Sequence, residues 1–140
     1  MKLRRTIAAC EKGVAAIEMA FALPILIVMI WAFVQFAEVY RAVAGIQQGL
    51  GEGARYATLC INPSVGGCQT PTASQIQDKI TTSVYGIGPG TFTVTTPQSG
   101  TSGTSKYYDL SVTYSQPTSL LLFPGPTMTV TKSKRVWVAG

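Results

Sequence analysis

The chain has 140 residues, 11 Lys and Arg against 6 Asp and Glu for a formal net charge of +5, no histidine and three cysteines. That length suits one domain of modest size, and the missing histidine removes the commonest general base and zinc ligand. The positive charge comes largely from the N-terminal leader, and no basic helix or aromatic-interleaved patch accompanies it, so nucleic acid is not an expected partner.

Residues 1–13 read as a short basic leader, in which Lys2, Arg4, Arg5 and Lys12 are opposed only by Glu11. Residues 19–37, MAFALPILIVMIWAFVQFA, carry no charge, and Gln35 is their one strongly polar member. As a helix this run rises about 28 Å, against a hydrocarbon core of about 30 Å. A transmembrane helix is predicted rather than a buried soluble one, because the rest of the chain is too small to enclose it. Arg41 is the sole basic residue close behind. The positive-inside rule then expects a cytoplasmic N-terminus and an exported C-terminal part.

Helical character is expected over residues 14–59, the transmembrane and extended helix. Pro24 removes one backbone hydrogen bond there and marks a kink position. Val39, Val43, Ile46, Leu50, Ala54 and Ala57 recur at helical spacing. Gly45, Gly49, Gly51 and Gly53 each weaken the helix by about 1 kcal/mol relative to Ala, yet small residues at such spacing permit close helix approach.

Residues 60–140 read as a small exported domain. Asn62-Pro63 and Gly66-Gly67 mark a loop. Cys60 and Cys68 flank it in CINPSVGGC, either as a disulfide suited to an oxidising compartment or as two free thiols. Closing a loop of about nine residues would stabilise the fold by roughly 2–3 kcal/mol. Two cysteines are too few for a metal site, so none is expected. A short helix is predicted near ASQIQDKITTSVYG, with Ala73, Ile76, Ile80 and Val84 on one face and Gly86 at its end. TFTVTT, YYDLSVTY and TMTVTKSKRVWVA then alternate as strands. Phe92 and Val94 share one face, as do Tyr108, Leu110, Val112 and Tyr114. PQSGTSGTSK is expected to be a flexible turn region, SLLLFPGP an apolar connection, and the stretch near Lys132 the site of a bulge or a shift of face. The fold class is therefore α+β: a long N-terminal transmembrane helix, then a short helix on a roughly three-stranded antiparallel sheet.

Glu18 is an odd residue to place at the start of an apolar span, where a charge is costly. Cleavage between Gly13 and Val14 would make it the fifth residue of the product. The carboxylate would then be free to pair with the new α-amine of a neighbouring chain, strengthened by the low dielectric. A basic leader, a Gly and an apolar helix with Glu five residues on resembles the type IV prepilin signal, which a membrane-embedded prepilin peptidase cuts after the Gly. More narrowly, residues 4–58 resemble the TadE-like family, pseudopilins of the tight-adherence (Tad/Flp) pilus machinery. The family pattern falls on Gly13, Glu18, Pro24 and the signature Glu52, Gly53, Ala54, Arg55, Tyr56 and Ala57.

That resemblance implies a minor pilin or pseudopilin of the bacterial inner membrane, with its C-terminal domain in the periplasm or incorporated into a pilus. It implies as partners prepilin peptidase, other pilins or pseudopilins, the inner-membrane assembly platform and membrane lipid, and no cofactor. An alternative reading is an unprocessed bitopic scaffold or binding protein of the envelope secretion machinery. Met19 stands where related pilins often carry an aromatic residue. Within the signature, Glu52 has Arg55 and Tyr56 as local partners one turn away.

Rival motifs are weaker. A signal-peptidase site after Ala42-Val43-Ala44 would follow an apolar run too long for an h-region. IAAC at residues 7–10 lacks the apolar stretch a lipobox needs, Pro63 blocks glycosylation at Asn62, and GLGEG lacks the Lys-Ser/Thr ending of a phosphate loop. Asp78 and Asp109 are the only acids after Glu52 and read as solvated surface charges. No enzyme activity is expected.

Overall fold

The computed structural model describes residues 3–64, 67–84, 86, 88–119, 121 and 123–138; for 3–12, 62–64, 67 and 68 the description is of backbone alone. Helix α1 spans Leu3–Ala57, and helix α2 Ala73–Val84. Strands β1 (Asn62–Ser64) and β2 (Gly67–Gln69) form a small hairpin. Strands β3 (Thr91–Ser102), β4 (Ser105–Ser119) and β5 (Pro124–Val138) form an antiparallel sheet in that order, with β4 central. The α+β class expected from the sequence is the observed one.

α1 has two environments along one unbroken helix. From Gly13 to Ile30 every residue is exposed. The most apolar stretch has a mean hydropathy of 2.4 and none of it is buried within the molecule. That separates it from the core helix of a soluble protein and marks the chain as a single-pass membrane protein. From Val39 onward one face is buried: Val39, Ala42, Ile46, Leu50, Ala54 and Ala57. Ala42 occupies the core position that periodicity assigned to Val43, which is only half-buried. The helix also begins earlier and ends sooner than the expected 14–59. It starts at Leu3, inside the leader, where no Pro or Gly interrupts residues 3–12. It ends at Ala57 in a tightened turn, where Thr58 N and Leu59 N donate to Arg55 O and Tyr56 O and the Thr58 hydroxyl also bonds Arg55 O. Such three-residue bonds satisfy carbonyls left free at a helix end.

α2 opens on a capping box. Thr72 N donates to Gln75 Oε1 at 3.0 Å, and Gln75 N returns to Thr72 Oγ1 at 3.4 Å. Ile76, Ile80 and Val84 are buried on its inner face. Gly86 follows with φ +77°, a left-handed conformation that glycine adopts without steric cost. α2 covers β3, and Gln77 ties the two: its Nε2 donates to Val94 O, and its Oε1 accepts from Thr96 Oγ1. α1 lies against α2, β4 and β5. The core between the layers holds Leu110, Val112 and Tyr114, all fully buried, with Val136 and Val138.

The sheet departs from expectation in three places. PQSGTSGTSK is not a flexible turn: its residues extend β3 and β4, and the reversal takes only Gly103 and Thr104, between the paired Ser102 and Ser105. Gly103 has φ +61°, which suits a two-residue hairpin. The bulge expected near Lys132 is absent, since the β4–β5 register runs unbroken from Lys106↔Val138 to Pro117↔Thr127. Lys132 and Lys134 keep step with the apolar positions and stay exposed because β5 is an edge strand, where lysines discourage pairing with another sheet. The irregularities fall instead at Thr95/Gln98 and Pro117/Ser119. Each contains a proline or adjoins one, and proline has no N–H to give a ladder. The Cys60–Cys68 loop is the third difference, being a short hairpin rather than irregular chain.

Candidate functional site

Gly13, Val14 and Glu18 lie on one exposed stretch of α1. Nothing would meet a Cβ at Gly13, and Val14 is 56 % exposed. Glu18 makes no hydrogen bond or ion pair among the described residues. Its carboxylate therefore stands at the head of the apolar helix surface, available to a second molecule. Pro24 lies inside α1, which continues through it.

The signature residues sit about 60 Å further along the same helix by its rise per residue. Glu52 and Gly53 meet α2 rather than their neighbours in the signature. Glu52 takes neither Arg55 nor Tyr56 as its partner. Its Oε2 accepts from the Ser83 hydroxyl at 2.7 Å and lies 3.7 Å from Lys79 Nζ. The Ser83 hydrogen bond, then the Gln48 side chain and the Lys79 charge, hold the Glu52 carboxyl below the usual glutamate range. Gly53 faces Ile80, and a Cβ there would stand 2.3 Å from Ile80 Cγ1. Gly49, one turn earlier, would put a Cβ 2.5 Å from Val84 Cγ1. Ala54 and Ala57 are buried, Tyr56 packs at the core margin, and Arg55 is exposed. Glycine thus serves α1 as a groove for the branched side chains of α2, and the helix penalty accepts that close approach.

A second polar chain joins the end of the membrane helix to the sheet. Gly90 N donates to the Tyr114 hydroxyl at 3.0 Å, and that hydroxyl donates to Gln116 Oε1 at 2.6 Å. Gln116 Nε2 donates to Glu38 Oε2 at 3.0 Å. Gln116 is the buried polar side chain of the core, and all its polar atoms are satisfied. One turn earlier, Gln35 Oε1 accepts from Ser119 N at 3.0 Å, while Gln35 Nε2 and Trp31 Nε1 both donate to Ser119 O. The end of β4 is thereby clamped to α1 inside the uncharged run.

On the outer face of the sheet Arg135 makes a two-pronged ion pair with Asp109, at 2.7 and 2.8 Å. Hydrogen bonding to Arg135 holds the Asp109 carboxyl low and Arg135 correspondingly high. The Arg135 guanidinium lies 4.2 Å from the Tyr107 ring centre, and Tyr107 meets Trp137 edge-on at 5.2 Å. Asp109, expected as a free surface charge, is a paired one. The Cys68 side chain lies outside the described residues, and so does the expected pairing.

Sequence reasoning passed over Glu38, Trp31, Gln116, Tyr114, Ser119, Lys79 and Ser83 as site residues. One signal was present: Gln35 is the polar exception in an apolar run and Glu38 the first charge after it. Both are the residues that hold the sheet.

Neither a curated protein nor a solved structure matches the chain at a significant level. The family model of TadE-like proteins matches residues 13–55, from the predicted cleavage glycine to the arginine of the signature, so that helical segment is similar to TadE-like proteins.

Proposed function

We propose that the chain is a minor pilin or pseudopilin that helps assemble an adhesive tight-adherence pilus. The TadE-like match implies a role in Tad pilus assembly. One observation supports the finer reading: the family match begins at Gly13, on a helix whose surface from Gly13 to Ile30 and whose Glu18 carboxylate are exposed. In this reading prepilin peptidase cuts between Gly13 and Val14 on the cytoplasmic side of the inner membrane. Glu18 then pairs with the α-amine of a neighbouring pilin, and the helix packs into a filament or against the assembly platform. The chain is an interaction protein and not an enzyme. Its C-terminal unit faces the periplasm, where the Cys60 disulfide closes on Cys68.

The N-terminus of the protein from its native host, read by intact mass, tests this. A chain beginning at Val14 is expected. A chain beginning at Met1 would overturn processing and leave a membrane-anchored scaffold.

A further inference from the structure

Ser119 is held by Trp31 and Gln35, both inside the uncharged run of α1. The β4–β5 connection that starts there therefore lies beside the C-terminal part of that run. Residues 14–30 alone rise about 26 Å as a helix, which is already close to a hydrocarbon core. The outer boundary of the bilayer then falls near Trp31, a residue type enriched at that boundary.

We propose that the β4–β5 tip is a second lipid contact, seating Leu121 and Phe123 in the interfacial layer of the bilayer that α1 crosses. This inference rests on the reading of α1 as a membrane span. Three observations carry it. Leu121 and Phe123 are 49 % and 70 % exposed at the end of the molecule nearest the apolar helix. No charged residue occurs from Leu110 to Thr131, so the whole of that sheet end is uncharged. The charges of β4 and β5, Lys106, Asp109, Lys132, Lys134 and Arg135, lie between the middle of the sheet, where Lys132 pairs with Val112, and its Ser102–Ser105 end. An apolar tip beside the span with all charge displaced upward is the polarity of an interfacial anchor. A shallow groove between Ala32, Phe36, Pro126 and Met128 opens at the same level and offers an acyl chain a place against the helix. Two lipid contacts, helix and tip, fix the tilt of the C-terminal unit on the membrane as well as its depth.

The test uses the full chain, oxidised, in bilayers of phosphatidylethanolamine and phosphatidylglycerol. A nitroxide is attached singly in a Cys10→Ser background at Phe123→Cys, at Ile25→Cys in the span and at Ser102→Cys on the far turn. Collision rates with oxygen and with a water-soluble nickel complex report depth. The Phe123 label is expected to favour oxygen over nickel by several-fold relative to Ser102, and less than the Ile25 label does. A Phe123 label as nickel-accessible as Ser102, with Ile25 shielded, would overturn the inference and leave the span intact. If Ile25 were nickel-accessible too, the membrane reading would fail and this inference with it. Shielding at Phe123 that disappears on dilution with lipid would mark contact with a second copy, and would also overturn it.

Discussion

Gly53 of α1 and Ile80 of α2 approach so closely that the position admits no side chain. A Cβ on Gly53 would lie 2.3 Å from Ile80 Cγ1 and 2.7 Å from its Cδ1. Gly51, two residues away on the same helix, faces open space. Substitution by alanine is therefore expected to have opposite signs at the two positions. Gly51→Ala should stabilise by about 0.5–1 kcal/mol through the unfolded chain and helix propensity. Gly53→Ala should destabilise by about 1–3 kcal/mol through overpacking, less the same propensity gain. Thermal unfolding in detergent micelles, followed by circular dichroism, checks both. Equal shifts would mean that α1 and α2 are not packed as described.

Glu52 is expected to make the docking of α2 pH-dependent. Its folded pKa is depressed, with the Ser83 hydrogen bond as the first cause. A depressed carboxyl contributes stability that is present above the ordinary glutamate pKa of about 4.3 and is lost as pH falls through the folded value. Stability is expected to decline below about pH 5, and Glu52→Gln should flatten that decline while leaving neutral-pH unfolding little changed, because the site is exposed to solvent. Asp109 has the same sign through Arg135, so the slope left in Glu52→Gln should fall further in the double variant with Asp109→Asn.

Tyr114→Phe keeps the ring packing on Phe92, whose centre is 4.7 Å away, and removes only the hydroxyl. Gly90 N and Gln116 Oε1 both lose their partner. Leaving buried polar groups unsatisfied costs about 1–3 kcal/mol. Tyr114→Phe should lower the denaturant midpoint accordingly, and Gln116→Leu in the same background should recover part of the loss.

Glu18→Ala should leave the folding of the C-terminal unit untouched, since Glu18 is exposed and far from the core. Under the proposed function it should impair pilus assembly in the native host, scored by electron microscopy and surface adhesion. Normal piliation with the variant would remove the intermolecular role of this carboxylate.

Much of this architecture was legible in the residues because it rests on short-range physics. An uncharged run of bilayer length, a terminating glycine and strict alternation in β4 each specify a local conformation without reference to the rest of the chain. The bulge placement failed for a long-range reason. Lys132 and Lys134 break the hydrophobic pattern, and only the knowledge that β5 is an edge strand explains how they keep register and still reach water. The turn region failed likewise, because Ser, Thr and Gly read as loop until a partner strand supplies their hydrogen bonds.

The candidate site divides along the same line. Gly13, Glu18 and the TadE-like signature are readable as sequence, since the proposed cleavage signal and the helix motif are arrangements of neighbours along one chain. What Glu52 and Gly53 touch, and that Gln35 and Glu38 grip the sheet, depended on packing residues up to 84 positions apart. Such contacts are chosen by shape and hydrogen-bond geometry across elements, where a glycine gap and a branched side chain meet only once the helices are docked. The chain's own order of residues therefore determined a membrane helix carrying a small α+β unit, and the tertiary structure decided how that unit is held to the helix, because the fit between elements exists only in the folded state.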